Sequence, residues 1–239
     1  TMRTTAALCA VIVLLTVTSD AAFGVSYTGS VSYTPPWPAD LTDGVYVGPE
    51  TLRWANYNID LSWVVSDTGA SPSHPWHYSY TFTIGGTQGA LSHLTIETSD
   101  NFTEADIINL TGASIDSIAL QKVGPGNFGM PSDMYGIKFD PLDDDTFVMT
   151  WSFDSSRTPV WGDFYAKDGG QADEKDYAYN QGSTADDPTD PPADGSITFH
   201  ILRPDTVVPE PLTLVLVPLG VIAAMVRMKW RQHRVAFPP

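Results

Sequence analysis

The 239-residue chain has a single cysteine, Cys9, and it lies inside an apolar run near the N-terminus. Once that run is removed no thiol remains, which excludes disulfides, zinc–thiolate centres and cysteine nucleophiles from the body of the protein. Positive charge is also scarce, with 12 Lys and Arg against 28 Asp and Glu. Between residues 25 and 206 only seven basic residues face 26 acidic ones, a net of −19. Such a body repels nucleic acid and anionic membrane surfaces, so nucleic acid is excluded as a partner, while hard cations find many oxygen ligands. Gly-x-Ser-x-Gly, His-Glu-x-x-His and phosphate-cradling glycine motifs are missing, so no residue is assigned a catalytic role.

What the sequence has is aromatics and turn-formers: Trp 7, Tyr 10, Phe 10, Gly 19 and Pro 19. That composition suits an extracellular all-β domain. Tyr57, Ile59, Leu61, Trp63 and Val65 alternate with polar residues, as do Trp76 to Ile84, Phe147 to Phe153, and Ile197, Phe199 and Ile201. Period two means a strand with one buried and one wet face. Shorter strands are expected over 27–33, 92–98, 114–122, 135–139 and 160–166, and one short helix over 101–109 behind a Thr103 cap. The pattern predicts an antiparallel, jelly-roll-like β-sandwich over residues 25–203. The Pro- and Asp-rich segment 185–195 is expected to be a loop before the last strand, and residues 204–208 a linker.

Both ends concern traffic. Arg3, the apolar run Ala6–Val17 and small residues beyond it have the anatomy of a signal peptide over residues 1–24. At the other end, Leu212–Val226 is apolar apart from Thr213 and is followed by Arg227, Lys229, Arg231 and Arg234. As a helix this segment spans only ~22 Å of a ~30 Å hydrocarbon core. By the positive-inside rule the basic tail stays cytoplasmic and the body lies outside. Such a marginal span suits a temporary tether.

Val208-Pro209-Glu210-Pro211, this short apolar segment and the basic tail together resemble the PEP-CTERM sorting signal. The resemblance covers residues 209–234. It implies export, passage through the inner membrane, recognition by an exosortase, and a destination at the cell surface or in exopolysaccharide. The two prolines also keep the motif extended, as a processing enzyme requires.

Three further features bear on ligands. Asp140, Asp143, Asp144 and Asp145, with Asp168 and Asp173, are candidate calcium ligands, although neither acidic run has EF-hand spacing. His74 and His77 are three apart, a spacing that on a strand sends them to opposite faces and disfavours a shared metal. His93 and His200 read as outward strand positions without a role. Most aromatics share the inward phase of their strands; Trp37, Trp54 and Trp161 do not, and are the candidate glycan contacts. Three functions stay open: a structural or adhesive matrix protein, a carbohydrate-binding module, and a polysaccharide-active enzyme.

Overall fold

The structure, a computed structural model, describes residues 24–36, 43–170 and 175–205. Alternating side chains become strands where the sequence signal is strongest. Ile59, Leu61, Trp63 and Val65 point inward from β3 (Ile59–Ser66), and Tyr78, Tyr80, Phe82 and Ile84 from β4 (Trp76–Ile84). With β1 (Ser26–Tyr33), β6 (Ile107–Thr111) and β9 (Val148–Ser155) they form a five-stranded sheet in the order β1-β3-β4-β9-β6. A second sheet contains β2 (Val45–Gly48), β5 (Leu91–Glu97), β7 (Ala113–Gln121), β8 (Met134–Pro141), β11 (Phe164–Asp168) and β12 (Tyr177–Asn180). Its order is β2-β12-β11-β5-β8-β7. A separate ribbon pairs β10 (Pro159–Gly162) with β13 (Ile201–Pro204), and all pairings between strands are antiparallel.

The two large sheets face each other across one apolar core, which makes the fold all-β and sandwich-like. Phe82 of β4 meets Phe164 of β11 edge-on at 6.2 Å, and Trp151 of β9 meets Phe139 of β8 at 5.6 Å. Each large apolar side chain buried in this way stabilises the fold by ~1.5–3 kcal/mol. The buried tyrosines keep their hydroxyls paired: Tyr33 donates to the Ala55 carbonyl at 2.7 Å and Tyr80 to the Leu202 carbonyl at 2.9 Å. Among the described residues no helix is long and apolar enough to cross a membrane. The signal peptide and the 212–226 segment lie outside the described residues.

Four local expectations are corrected. The helix over 101–109 is a single 3-10 turn, Glu104–Asp106, that runs straight into β6. There the backbone N–H and hydroxyl of Thr103 donate to Asp106 at 2.8 and 3.0 Å, and the β-branched Ile107 and Ile108 favour extended backbone. The strand over 160–166 is broken by Asp163, so that β10 and β11 pair with different partners. Ile197 to His200 form a tight turn, with Thr198 and Phe199 in the left-handed region at φ 45° and 65°. β13 therefore starts only at Ile201 and runs to Pro204, one residue into the expected linker.

Candidate functional site

The tryptophans singled out by phase are not surface groups. Trp54 lies in a 3-10 turn at 0% exposure, its N–H donating to the Gly89 carbonyl at 2.6 Å. Trp161 is 1% exposed on β10, and its N–H reaches the Pro191 carbonyl at 3.4 Å under the proline-rich loop. Neither can offer a ring face to a glycan; both are core. Trp37 and Asp173 lie outside the described residues, as do Val208 to Pro211, Arg227, Lys229, Arg231 and Arg234.

The aromatic rings that do reach the outside are tyrosines. On β2 and β12, Val45, Val47, Ala178 and Asn180 are buried, which sends Tyr46, Tyr177 and Tyr179 to the outer face of the six-stranded sheet. Tyr46 and Tyr179 are cross-strand partners with ring centroids 4.8 Å apart. The Tyr177 ring lies 6.3 Å from that of Tyr179 and within 8° of parallel to it. All three rings are half-buried. Burial raises the phenol of Tyr179 to about 12 and that of Tyr177 above its ordinary value, so both stay neutral and can donate as well as accept. Beside them Tyr46, Tyr179, Gln181, Thr184 and Phe199 line a shallow depression of about 330 Å³.

This face is braced from one side by the loop between β7 and β8. The Tyr165 hydroxyl donates to the Phe128 carbonyl at 2.6 Å, and the Phe128 ring meets Tyr177 edge-on at 5.7 Å. Gly129, at φ +75°, lets the loop pass where a Cβ would come within 2.2 Å of the Tyr177 ring. Beneath the same loop His93 is 3% exposed, contrary to its outward reading, because the loop covers that face of β5. Its Nε2 lies 3.2 Å from the Asn127 Oδ1, and the Asn127 amide donates to the Lys122 carbonyl at 3.0 Å. Burial first, then the charges of Lys138 and Lys167, lowers the His93 imidazole to about 3.

The acidic residues divide into two groups. Asp140, Asp144 and Asp168 converge on a groove of about 640 Å³ that also contains Arg53, while Asp143 and Asp145 are exposed on the turn after β8. Asp168 is already committed: its Oδ1 accepts the Gly170 and Asp176 backbone N–H groups at 3.0 and 3.1 Å, and its Oδ2 accepts the Arg53 guanidinium. Asp176 accepts Arg53 Nε at 2.9 Å and the backbone N–H of Trp54 at 3.0 Å. Of the expected calcium ligands, Asp168 thus serves to fasten an internal arginine, Arg53.

The second group lies at the Asp163 break. The Asp163 N–H donates to Glu97 Oε2 at 3.0 Å, and Asp163 Oδ1 accepts Asn180 Nδ2 at 2.7 Å. Arg203 reaches Asp187 at 2.8 Å, Glu97 at 3.2 Å and Asp205 at 3.4 Å. Desolvation raises Glu97 to about 7 and Asp163 to about 6, with Arg203 opposing and Asp187 reinforcing each shift. His200, expected outside, is 1% exposed, because the turn before β13 folds it beneath Gly182. One atom each of Asp163, Asp187 and His200 lies within 4.8 Å of the other two, a spacing compatible with a metal ion.

The sequence signal for the tyrosine face was the "VYVG" and "YAYN" alternation, in which small apolar residues hold the inward phase. Asp163, Asp187 and His200 carry no such local signal. No protein-family model, curated protein or solved structure matches the chain.

Proposed function

We propose that this is an exported matrix protein whose sandwich, of jelly-roll type, holds extracellular polysaccharide on the Tyr46–Tyr177–Tyr179 face. The single observation that carries the reading is three near-parallel tyrosine rings on an outer sheet face, beside a depression with Gln181 and Thr184 at its rim. The exposed parts of these rings offer apolar area to the C–H groups of a sugar, and the hydroxyls of Tyr177 and Tyr179, with the Gln181 amide and Thr184 hydroxyl nearby, can pair with sugar hydroxyls. The net charge of −16 favours a neutral polymer over an anionic one. The route to the polysaccharide rests on the terminal segments: signal peptide, Pro209-Glu210-Pro211, apolar stretch and basic tail, with exosortase and the inner membrane as transient partners. The role is structural or adhesive.

A glycan array probed with and without calcium tests the binding half. Removing one ring contact of roughly 50 Å² costs ~1 kcal/mol, so Tyr179→Ala should weaken binding about fivefold to tenfold. An array on which the wild type binds nothing would overturn the proposal. The sorting half is tested by replacing Pro209, Glu210 and Pro211 with alanine, which should leave the body tethered at the inner membrane. Unchanged release would refute it.

A further inference from the structure

We propose that Asp163, Asp187 and His200 form a binding site for one divalent transition-metal ion of the zinc type, which clamps the final strand and the acidic loop to the sandwich. The three ligands come from three places: the break between β10 and β11, the loop after β12, and the residue before β13. His200 Nε2 lies 3.7 Å from Asp163 Oδ1 and 3.8 Å from Asp187 Oδ1. These separations exceed hydrogen-bond length, yet an ion between the three atoms would sit roughly 2.2–2.4 Å from each, close to the ~2.0–2.2 Å of zinc bonds to nitrogen and carboxylate oxygen.

The second observation is the imidazole itself. The His200 side chain is 1% exposed, and its Nε2 is buried without a hydrogen-bond partner. The other ring nitrogen, Nδ1, lies 3.2 Å from the Ile197 carbonyl and 3.0 Å from the Thr198 hydroxyl. A carbonyl can only accept, so Nδ1 carries a proton, and the buried Nε2 faces two carboxylate oxygens. With Nε2 unprotonated, three acceptors converge in a buried corner, an arrangement that a bound cation joins.

The surroundings match the second shell of a metal centre, in which each ligand is held by a group of its own. Nδ1–H of His200 donates to Ile197; Asn180 Nδ2 donates to Asp163 at 2.7 Å; Arg203 donates to Asp187 Oδ2 at 2.8 Å, which leaves Oδ1 for the ion. Charge agrees, because Glu97, Asp187 and Asp205 pair with the single guanidinium of Arg203 and Asp163 adds a fourth carboxyl beside His200. One nitrogen and two oxygens suit zinc better than calcium, which takes about six to eight oxygens at longer range. The Asp187 side chain is 30% exposed, leaving a way in for the ion and for a water as fourth ligand. The site is separate from the tyrosine face and does not depend on the polysaccharide proposal.

The test is titration of the chelator-stripped full chain with Zn²⁺ alone, followed by calorimetry and by ¹⁵N NMR of His200. The expected result is one zinc per chain, a midpoint of thermal unfolding raised by roughly 5–10 °C at a 100-fold excess over Kd, and a shift of Nε2 while Nδ1 keeps its proton. Asp187→Asn keeps an acceptor for Arg203 but removes a charged ligand, and should weaken zinc at least tenfold with the fold intact by circular dichroism. His200→Gln should do the same. Zinc bound equally well by both variants would place it elsewhere and overturn the assignment. Equal binding of Ca²⁺ would refute the transition-metal class. A His200 ring carrying protons on both nitrogens at neutral pH and unmoved by zinc would show an imidazolium paired with Asp163 and Asp187, and would sink the proposal.

Discussion

Replacing His93 with glutamine should flatten the acid limb of the stability curve. His93 sits beneath the loop that braces the tyrosine face, with Asn127 at 3.2 Å, and its imidazole is lowered from 6.5 to about 3, by desolvation first. The sign follows from linkage. Below the unfolded-state value the unfolded chain takes up a proton that the folded chain refuses, so stability falls as pH drops from about 6.5 towards 3. The slope is at most ~1.4 kcal/mol per pH unit, giving a loss of about 2–3 kcal/mol between pH 6.5 and 4.5. Against a typical total of ~5–15 kcal/mol this is a large share. Glu97 and Asp163, raised to about 7 and about 6, act with the opposite sign, because their charged forms are disfavoured in the fold and stability improves as they protonate. They contribute equally to wild type and variant, so the difference between the two isolates His93. Glutamine can still donate to Asn127 but cannot titrate. Urea unfolding of both proteins at pH 7.0, 6.0, 5.0 and 4.5 should show the stability difference drifting in favour of the variant by about 2–3 kcal/mol. Parallel curves would mean that His93 is freely protonated in the fold, and that the loop does not seal that face of β5.

Three other substitutions probe the frame. Burial would raise Asp106, but Arg157, Thr103 and Ser156 more than offset it and hold the carboxyl at about 2. Asp106→Asn should therefore cost about 2–4 kcal/mol at pH 7, with the deficit present above pH ~4 and vanishing as pH falls through about 2; a pH-independent deficit in chemical denaturation would contradict the pairing. Trp161→Ala should cost ~3–5 kcal/mol as a core truncation, and a destabilisation below 1 kcal/mol would show the indole to be at the surface after all. At Gly162 an added Cβ would fall 1.8 Å from Arg203 Nε, so Gly162→Ala should displace Arg203 and lower the unfolding midpoint, and an unchanged midpoint would count against the packing of that corner.

The long strands were legible because their inward phase is unbroken: β3, β4 and β9 each carry three or more large apolar residues at period two. The loop at 185–195 was legible from its prolines and aspartates. Short strands were not, since β2 and β12 have four residues each and too few alternations to stand out. Two outward assignments, His93 and His200, failed because strand phase says nothing about what a distant loop or turn folds over a face. Trp54 and Trp161 failed for a related reason, one lying in a 3-10 turn and the other under a loop. The Asp163 corner draws on residues far apart in the chain, and only the break in the strand at Asp163 brings them together.

Aromatic ¹H–¹³C NMR of Tyr46, Tyr177 and Tyr179 during titration with a neutral oligosaccharide asks most directly whether the outer sheet face is the polysaccharide contact. The prediction is saturable movement of these three ring signals, with those of the buried Trp54 and Trp161 unmoved. Saturable binding that leaves the three tyrosines untouched and perturbs another surface would contradict it.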